Sequence, residues 1–153
     1  SCLAEIRRIF EWAFLPTNTY RGYIKPDPIE TSGSFNLGKL TVTPLPVIHG
    51  SVETQGYRFD FPDLPSVAYL PDVKTIPESS QILLENIDTL IIDCLHQREH
   101  PTHTSLEESL TTTKALGAAH VYLTHLSHEM DVDNVTLPPN VQFAYDGLSL
   151  NFG

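Results

Sequence analysis

Three residues stand where a predicted strand becomes a loop: His49 at the end of LTVTPLPVIHG, Asp72 at the end of SVAYLPD and His125 at the end of HVYLTH. Loops at one edge of a sheet gather ligands, so side chains placed in this way can converge on one point. Imidazole nitrogen and carboxylate oxygen both suit zinc, manganese or iron, and a carboxylate can bridge two ions where an imidazole cannot. A lone histidine at a strand end is ordinarily solvated or bonded to backbone. It is the combination that points to a metal centre, and two His with one Asp are still too few for two ions.

His103 precedes a helix start, where the positive end of the helix dipole suits a bound anion, so it is placed to contact a phosphate or a leaving group. Cys94, His96, His100 and His103 make a compact run, but its spacing matches no common zinc-finger pattern. Asp93 reads either as buried support for the site or as a turn residue at a strand end. His128 and Asp131 could orient a ligand imidazole, while Glu129, Asp131 and Asp133 read equally as a solvated acidic turn. Serine-hydrolase, nucleotide-hydrolase and dinucleotide motifs are all absent from the sequence.

The elements that must position these groups are set by the hydrophobic pattern. A chain of 153 residues with 41% apolar and 18% charged residues predicts one globular domain over residues 1–153. Its net charge of −10 argues against nucleic acid and membrane partners. Cys2 and Cys94 are too few for a disulfide framework and fit free thiols in a reducing compartment. No signal peptide or membrane-length apolar run is present, which makes cytoplasmic the default location.

Ser1 can cap a helix over about residues 2–14, and a chain that opens inside a helix reads as a fragment. Proline and glycine keep residues 16–38 extended or looped, with a short strand near Tyr23. Pro44 and Pro46 put the strand after Lys39 at a sheet edge or a bulge. GYRFDF and SVAYLPD predict two antiparallel strands. Pro77 and Glu78 open a helix carrying Ile82, Leu83 and Ile87, and TLIID is a buried strand.

Thr104 or Ser105 with Glu107 or Glu108 is a capping-box pattern for a helix that turns Leu106, Leu110 and Leu116 inward and stops at Gly117. HVYLTH and VQFAYDG are the last strands. Strands alternating with helices, with polar residues at the strand ends, indicate a layered α/β arrangement.

Four segments, PLPVIHG, VAYLPDV, LIIDCLHQREHPTHTSLEESL and VYLTHLSHEMD, followed by LPPNVQFAYDGL, resemble the metallo-β-lactamase superfamily across residues 40–150. Within it they are similar to the branch of the phosphoribosyl cyclic phosphate phosphodiesterases. The resemblance implies an αβ/βα sandwich with a two-metal site at the sheet edges. It implies His49 and His125 as ligands, Asp72 as the bridging carboxylate and His103 as the substrate-side histidine. The superfamily's H-x-H-x-D-H cluster does not occur in this sequence, so the chain looks like the C-terminal part of such an enzyme.

The implied chemistry is hydrolysis of a small anionic phosphodiester, in which two divalent ions, zinc or manganese, lower the pKa of a water that attacks phosphorus. Asp72 and His103 are the catalytic candidates. The alternatives are another reaction on the same scaffold (lactone, thioester or nuclease chemistry) and an inert truncated or binding domain. A half-sandwich would also expose an apolar sheet face, which predicts self-association or binding of the missing N-terminal half.

Overall fold

The apolar run Thr89–Asp93 forms β5, and the sheet of the larger part of the molecule is laid out to either side of it. The computed structural model describes residues 2–19, 22, 24–31 and 33–152. The chain divides into two units, Ser1–Ser32 and Gly33–Gly153. The first unit holds α1 (Cys2–Ile9) and α2 (Glu11–Phe14). These replace the single helix expected there: Phe10 leaves helical dihedrals (φ −110°, ψ 37°), and neither Ile9 nor Phe10 favours a helix strongly. The Ser1 cap and the strand near Tyr23 fall outside the described residues.

The second unit is a seven-stranded sheet in simple sequential order. Its strands are β1 (Phe35–Leu37), β2 (Leu40–His49), β3 (Val52–Asp60), β4 (Val67–Leu70), β5, β6 (His120–Thr124) and β7 (Val141–Phe143). Pairing is antiparallel from β1 to β4 and parallel from β4 to β7. β2 is therefore oriented like β4, β5 and β6, and the C-terminal ends of all four lie at one edge of the sheet. That edge receives the loops after His49, Leu70, Asp93 and Thr124.

β2 pairs along its whole length with β3, from Thr41↔Asp60 to His49↔Val52. It meets β1 only through Leu40, Thr41 and Val42. Pro44 and Pro46 come after β1 has ended, so their missing N–H groups leave no ladder bond broken, as expected of an edge position. The polar stretch Val52–Gln55 also belongs to β3, which lengthens the expected strand.

Alternation assigns the faces. Leu45, Val47, Ala68, Leu70, Leu90, Ile92, Val121 and Leu123 are fully buried on one side. Two helices, α3 (Glu78–Ile82) and α4 (Leu106–Leu116), lie against β2 and β5 respectively. Leu106, Leu110 and Leu116 pack on the core as the pattern predicts. α3 is a correction: it ends after five residues, so a helical period no longer governs the residues beyond Ile82. Ile82 and Leu83 face solvent, and Leu84 and Ile87 are the buried residues.

Candidate metal centre

Each functional side chain is held at the sheet edge by a local device. β2 delivers His49 on the same face as Leu45 and Val47. A two-residue turn then reverses the chain, with Gly50 at φ +64°. A Cβ at Gly50 would stand 2.5 Å from Thr102 Cγ2, so the bare backbone lets the loop carrying His100 and His103 lie directly on the turn after His49. The loop after β4 is tied to the same place. Lys74 and Thr75 N–H groups donate to the Ile48 carbonyl (2.7 and 3.0 Å), and Ile48 N–H donates to the Thr75 carbonyl (2.9 Å). Asp72 is thereby fixed beside His49.

The end of β5 is locked to the start of α4. The Thr104 and Ser109 hydroxyls both donate to the Asp93 carbonyl (2.6 and 2.7 Å). Ser105 caps α4, with Glu108 accepting from its N–H (2.8 Å) and donating its own N–H to the Ser105 hydroxyl, so the expected capping box is Ser105–Glu108. Burial raises the Glu108 pKa, but the Lys74 ammonium at 2.5 Å and Ser105 outweigh it and hold the carboxyl below its ordinary value. Gly117 ends the helix at φ +68°. His103 lies just ahead of this anchored start.

The resulting geometry is compact. His103 Nδ1 donates to Asp93 Oδ2 at 2.6 Å, and that oxygen also accepts from Val73 N–H at 3.0 Å. On its other side His103 Nε2 lies 3.0 Å from His49 Nε2. The His103 ring stacks on His125 with centroids 4.7 Å apart, and His125 Nε2 is 3.2 Å from Asp72 Oδ1. His125 reaches this position with a left-handed backbone, φ 60°. His49, Asp72, His103 and His125, all singled out in the sequence, therefore meet at one place.

Among the described residues, two sets of three offer ligand atoms within 4.8 Å of one another: His49–Asp72–His103 and Asp93–His103–His125. Asp93 is the residue whose importance the sequence left open. It is fully buried, and the orphaned Oδ1 has no hydrogen-bond partner. Desolvation pushes its carboxyl up to about 7, only partly offset by Val73 N–H. Burial, together with the neighbouring His49, holds His103 below its ordinary value. Nitrogen and oxygen donors around an unsatisfied buried carboxylate oxygen fit a divalent cation.

The remaining candidates separate from this cluster. Cys94 is buried in the hydrophobic core with its thiol pushed up to about 12 by desolvation, so no Cys94–His96–His100–His103 metal group is assembled. Both cysteines are free thiols. His96 is occupied with the Arg98 carbonyl (2.7 Å), and His100 Nδ1 accepts from Thr102. Asp131 bonds Asn134 and Glu129 bonds Arg98, which is the solvated acidic turn rather than support for His125. Among the described residues no helix is long and apolar enough to cross a membrane.

Residues 1–126 match the family model of the beta-lactamase superfamily domain. The chain is 32% identical over 129 residues to an octanoyltransferase from Porphyromonas gingivalis, a match covering 82% of this chain and 24% of that protein. Among solved structures it is similar to a diphosphatase from the PhnP family, at 39% identity and TM-score 0.73, over 81% of this chain and 48% of that one. It is also similar to the metallo-β-lactamase fold protein YhfI from Bacillus subtilis, at 26% identity and TM-score 0.66, over 82% of this chain and 55% of that one. Zinc-bound PqqB from Methylobacterium extorquens shares the fold at 16% identity and TM-score 0.65, over 80% of this chain and 54% of that one. The chain thus spans about half the length of these structures and about a quarter of the octanoyltransferase. The sheet, the histidine and aspartate cluster at its edge and the family match agree: the chain belongs to the beta-lactamase superfamily and carries a metallo-β-lactamase fold.

Proposed function

We propose that this chain contributes the catalytic edge of a metal-dependent phosphodiesterase acting on a small anionic phosphodiester. The observation that carries this reading is the line Asp93–His103–His49, with 2.6 Å and 3.0 Å contacts on the two nitrogens of one imidazole. His49, Asp72 and His125 would serve as ligands, and a complete centre would take two divalent ions, zinc or manganese. Bound there, such ions supply Lewis acidity toward a phosphoryl oxygen and a water that ionises near neutral pH.

The protein's own part is positioning. Asp93 accepts a hydrogen bond from His103 Nδ1–H and so fixes the tautomer and orientation of that ring. With Nδ1–H committed to Asp93, Nε2 of the neutral ring is an acceptor, and only a ring that has taken up a second proton at Nε2 could donate a hydrogen bond or a proton to a substrate phosphoryl or leaving oxygen there. The net charge of −10 leaves long nucleic acids poor substrates, while local cations suffice for a small anion. The similarity to a PhnP-family diphosphatase supports phosphorus chemistry. An acyl-transfer reading rests on a quarter of the octanoyltransferase.

The test is a substrate panel with the chain loaded with zinc or manganese: a small cyclic phosphodiester, an oligonucleotide, a lactone and a thioester. Turnover of the cyclic phosphodiester alone, abolished in Asp72→Ala, is the expected result. Turnover confined to the lactone or thioester, or none with any substrate at full metal loading, overturns it.

A further inference from the structure

We infer that His103 is itself a metal ligand in the substrate-free chain, binding one divalent ion through Nε2 together with His49 and Asp72. This rests on the reading of the site as a metal centre and goes beyond the ligand set of His49, Asp72 and His125. His103 is the member common to both groupings of ligand atoms within 4.8 Å, and it shares one of them with His49 and Asp72. Its ring is only 12% exposed and is fixed from behind by Asp93, which is wholly buried.

The nitrogen geometry points the same way. Asp93 Oδ2 is an acceptor for Nδ1–H, so a neutral His103 presents its lone pair at Nε2. That lone pair faces another ring nitrogen, His49 Nε2, at 3.0 Å. Two neighbouring ligands on a common ion, each about 2.0–2.1 Å from it, lie about 3.0–3.4 Å apart in octahedral or tetrahedral sets. A carboxylate behind a ligand imidazole is also the usual outer partner of a metal-bound histidine. The competing arrangement is a proton shared between His49 and His103, with no ion at His103.

The two roles of His103 are successive. Its imidazole would complete the ion's ligand set at rest, and a substrate phosphoryl oxygen would take its place on the ion. The freed Nε2, beside the substrate, would then have to take up a proton from solvent before it could protonate a leaving oxygen. That exchange would break one coordinate bond to the ion, from Nε2, and form one, from the phosphoryl oxygen.

The experiment uses the full chain stripped with chelator and titrated with zinc chloride, followed by calorimetry and by long-range proton–nitrogen NMR of the histidine rings. One equivalent of zinc is expected to shift the Nε2 resonances of both His49 and His103. His103→Ala should weaken zinc binding at least tenfold, Asp93→Asn by about tenfold to a hundredfold, and His100→Ala should leave it unchanged. If His103→Ala does not fold, the ring spectra of the unaltered chain decide alone. A shift of His49 with His103 Nε2 unmoved overturns the inference and leaves the metal centre standing. No heat and no ring shift with zinc overturns both.

Discussion

Asp93 Oδ2 and His103 Nδ1 stand 2.6 Å apart, the carboxyl wholly buried and the imidazole nearly so. Burial pushes Asp93 up to about 7 and holds His103 below its ordinary value, so below that pH the folded pair carries one titratable proton, on the carboxyl, beside a neutral ring. An unfolded chain between about pH 4 and 6.5 carries a charged carboxylate and a charged imidazolium, which is also one proton. The counts match, so this pair adds little pH dependence to the stability of the metal-free chain in that window. In Asp93→Asn the folded chain keeps a neutral buried imidazole against a charged one unfolded. Its stability should then rise with pH through about 6.5. Melting temperatures of both proteins across pH 4.5–7.5, in chelator, measure the difference, and identical profiles would show that the two residues do not titrate as a pair.

Asp88 works with the opposite sign to a buried acid. The Ser66 hydroxyl (2.7 Å) and then the Ser66 N–H (2.8 Å) hold its carboxyl below the ordinary range. Stabilisation from this bridge between the starts of β4 and β5 is present above about pH 4 and fades as pH falls through the lowered value. Asp88→Asn should cost stability at pH 7 and nothing measurable near pH 2. Denaturant unfolding at the two pH values checks this, and an equal loss at both would sink it.

Ser105→Ala removes the cap of α4. The expected cost is about 1 kcal/mol, or roughly 3 °C in melting temperature for a chain of this size. The effect should extend to the site, because the same first turn anchors Thr104 and the neighbouring His103 to the end of β5. Thermal unfolding paired with zinc affinity tests it: a loss of stability with zinc affinity unchanged would separate the helix start from the site.

Gly50→Ala should be worse than a glycine replacement in an ordinary turn. The residue needs φ +64°, and the added Cβ meets Thr102 Cγ2 at 2.5 Å. A cost of about 1–2 kcal/mol is expected from the backbone alone. The displaced loop should also move His103 away from His49. Adding Thr102→Ser, which removes Cγ2, should restore site function but not stability. Recovery of neither would show that the clash is not what damages the site.

The strands and caps with strong local signals were legible. TLIID is apolar throughout and became β5, and Ser105 with Glu108 became the predicted capping box. β1 and the first half of β3 were not. Phe35–Leu37 is too short to show a period, and Val52–Gln55 carries Glu53, Thr54 and Gln55, whose strand conformation is imposed by pairing with β2. At the site, the strand-end positions of His49, Asp72 and His125 were readable. The central place of His103 was not, because it depends on Asp93 and Val73 meeting across the parallel strands β4 and β5. Spacing along the chain carries no information about that encounter.

His125 holds its ring in place on a backbone with φ 60°, a conformation that costs a non-glycine residue roughly 1 kcal/mol or more. Glycine relieves that cost outright, and asparagine relieves part of it. A laboratory selection for heat resistance alone would therefore reward loss of this histidine. At that one codon, backbone stability and the ligand role proposed for His125 pull in opposite directions.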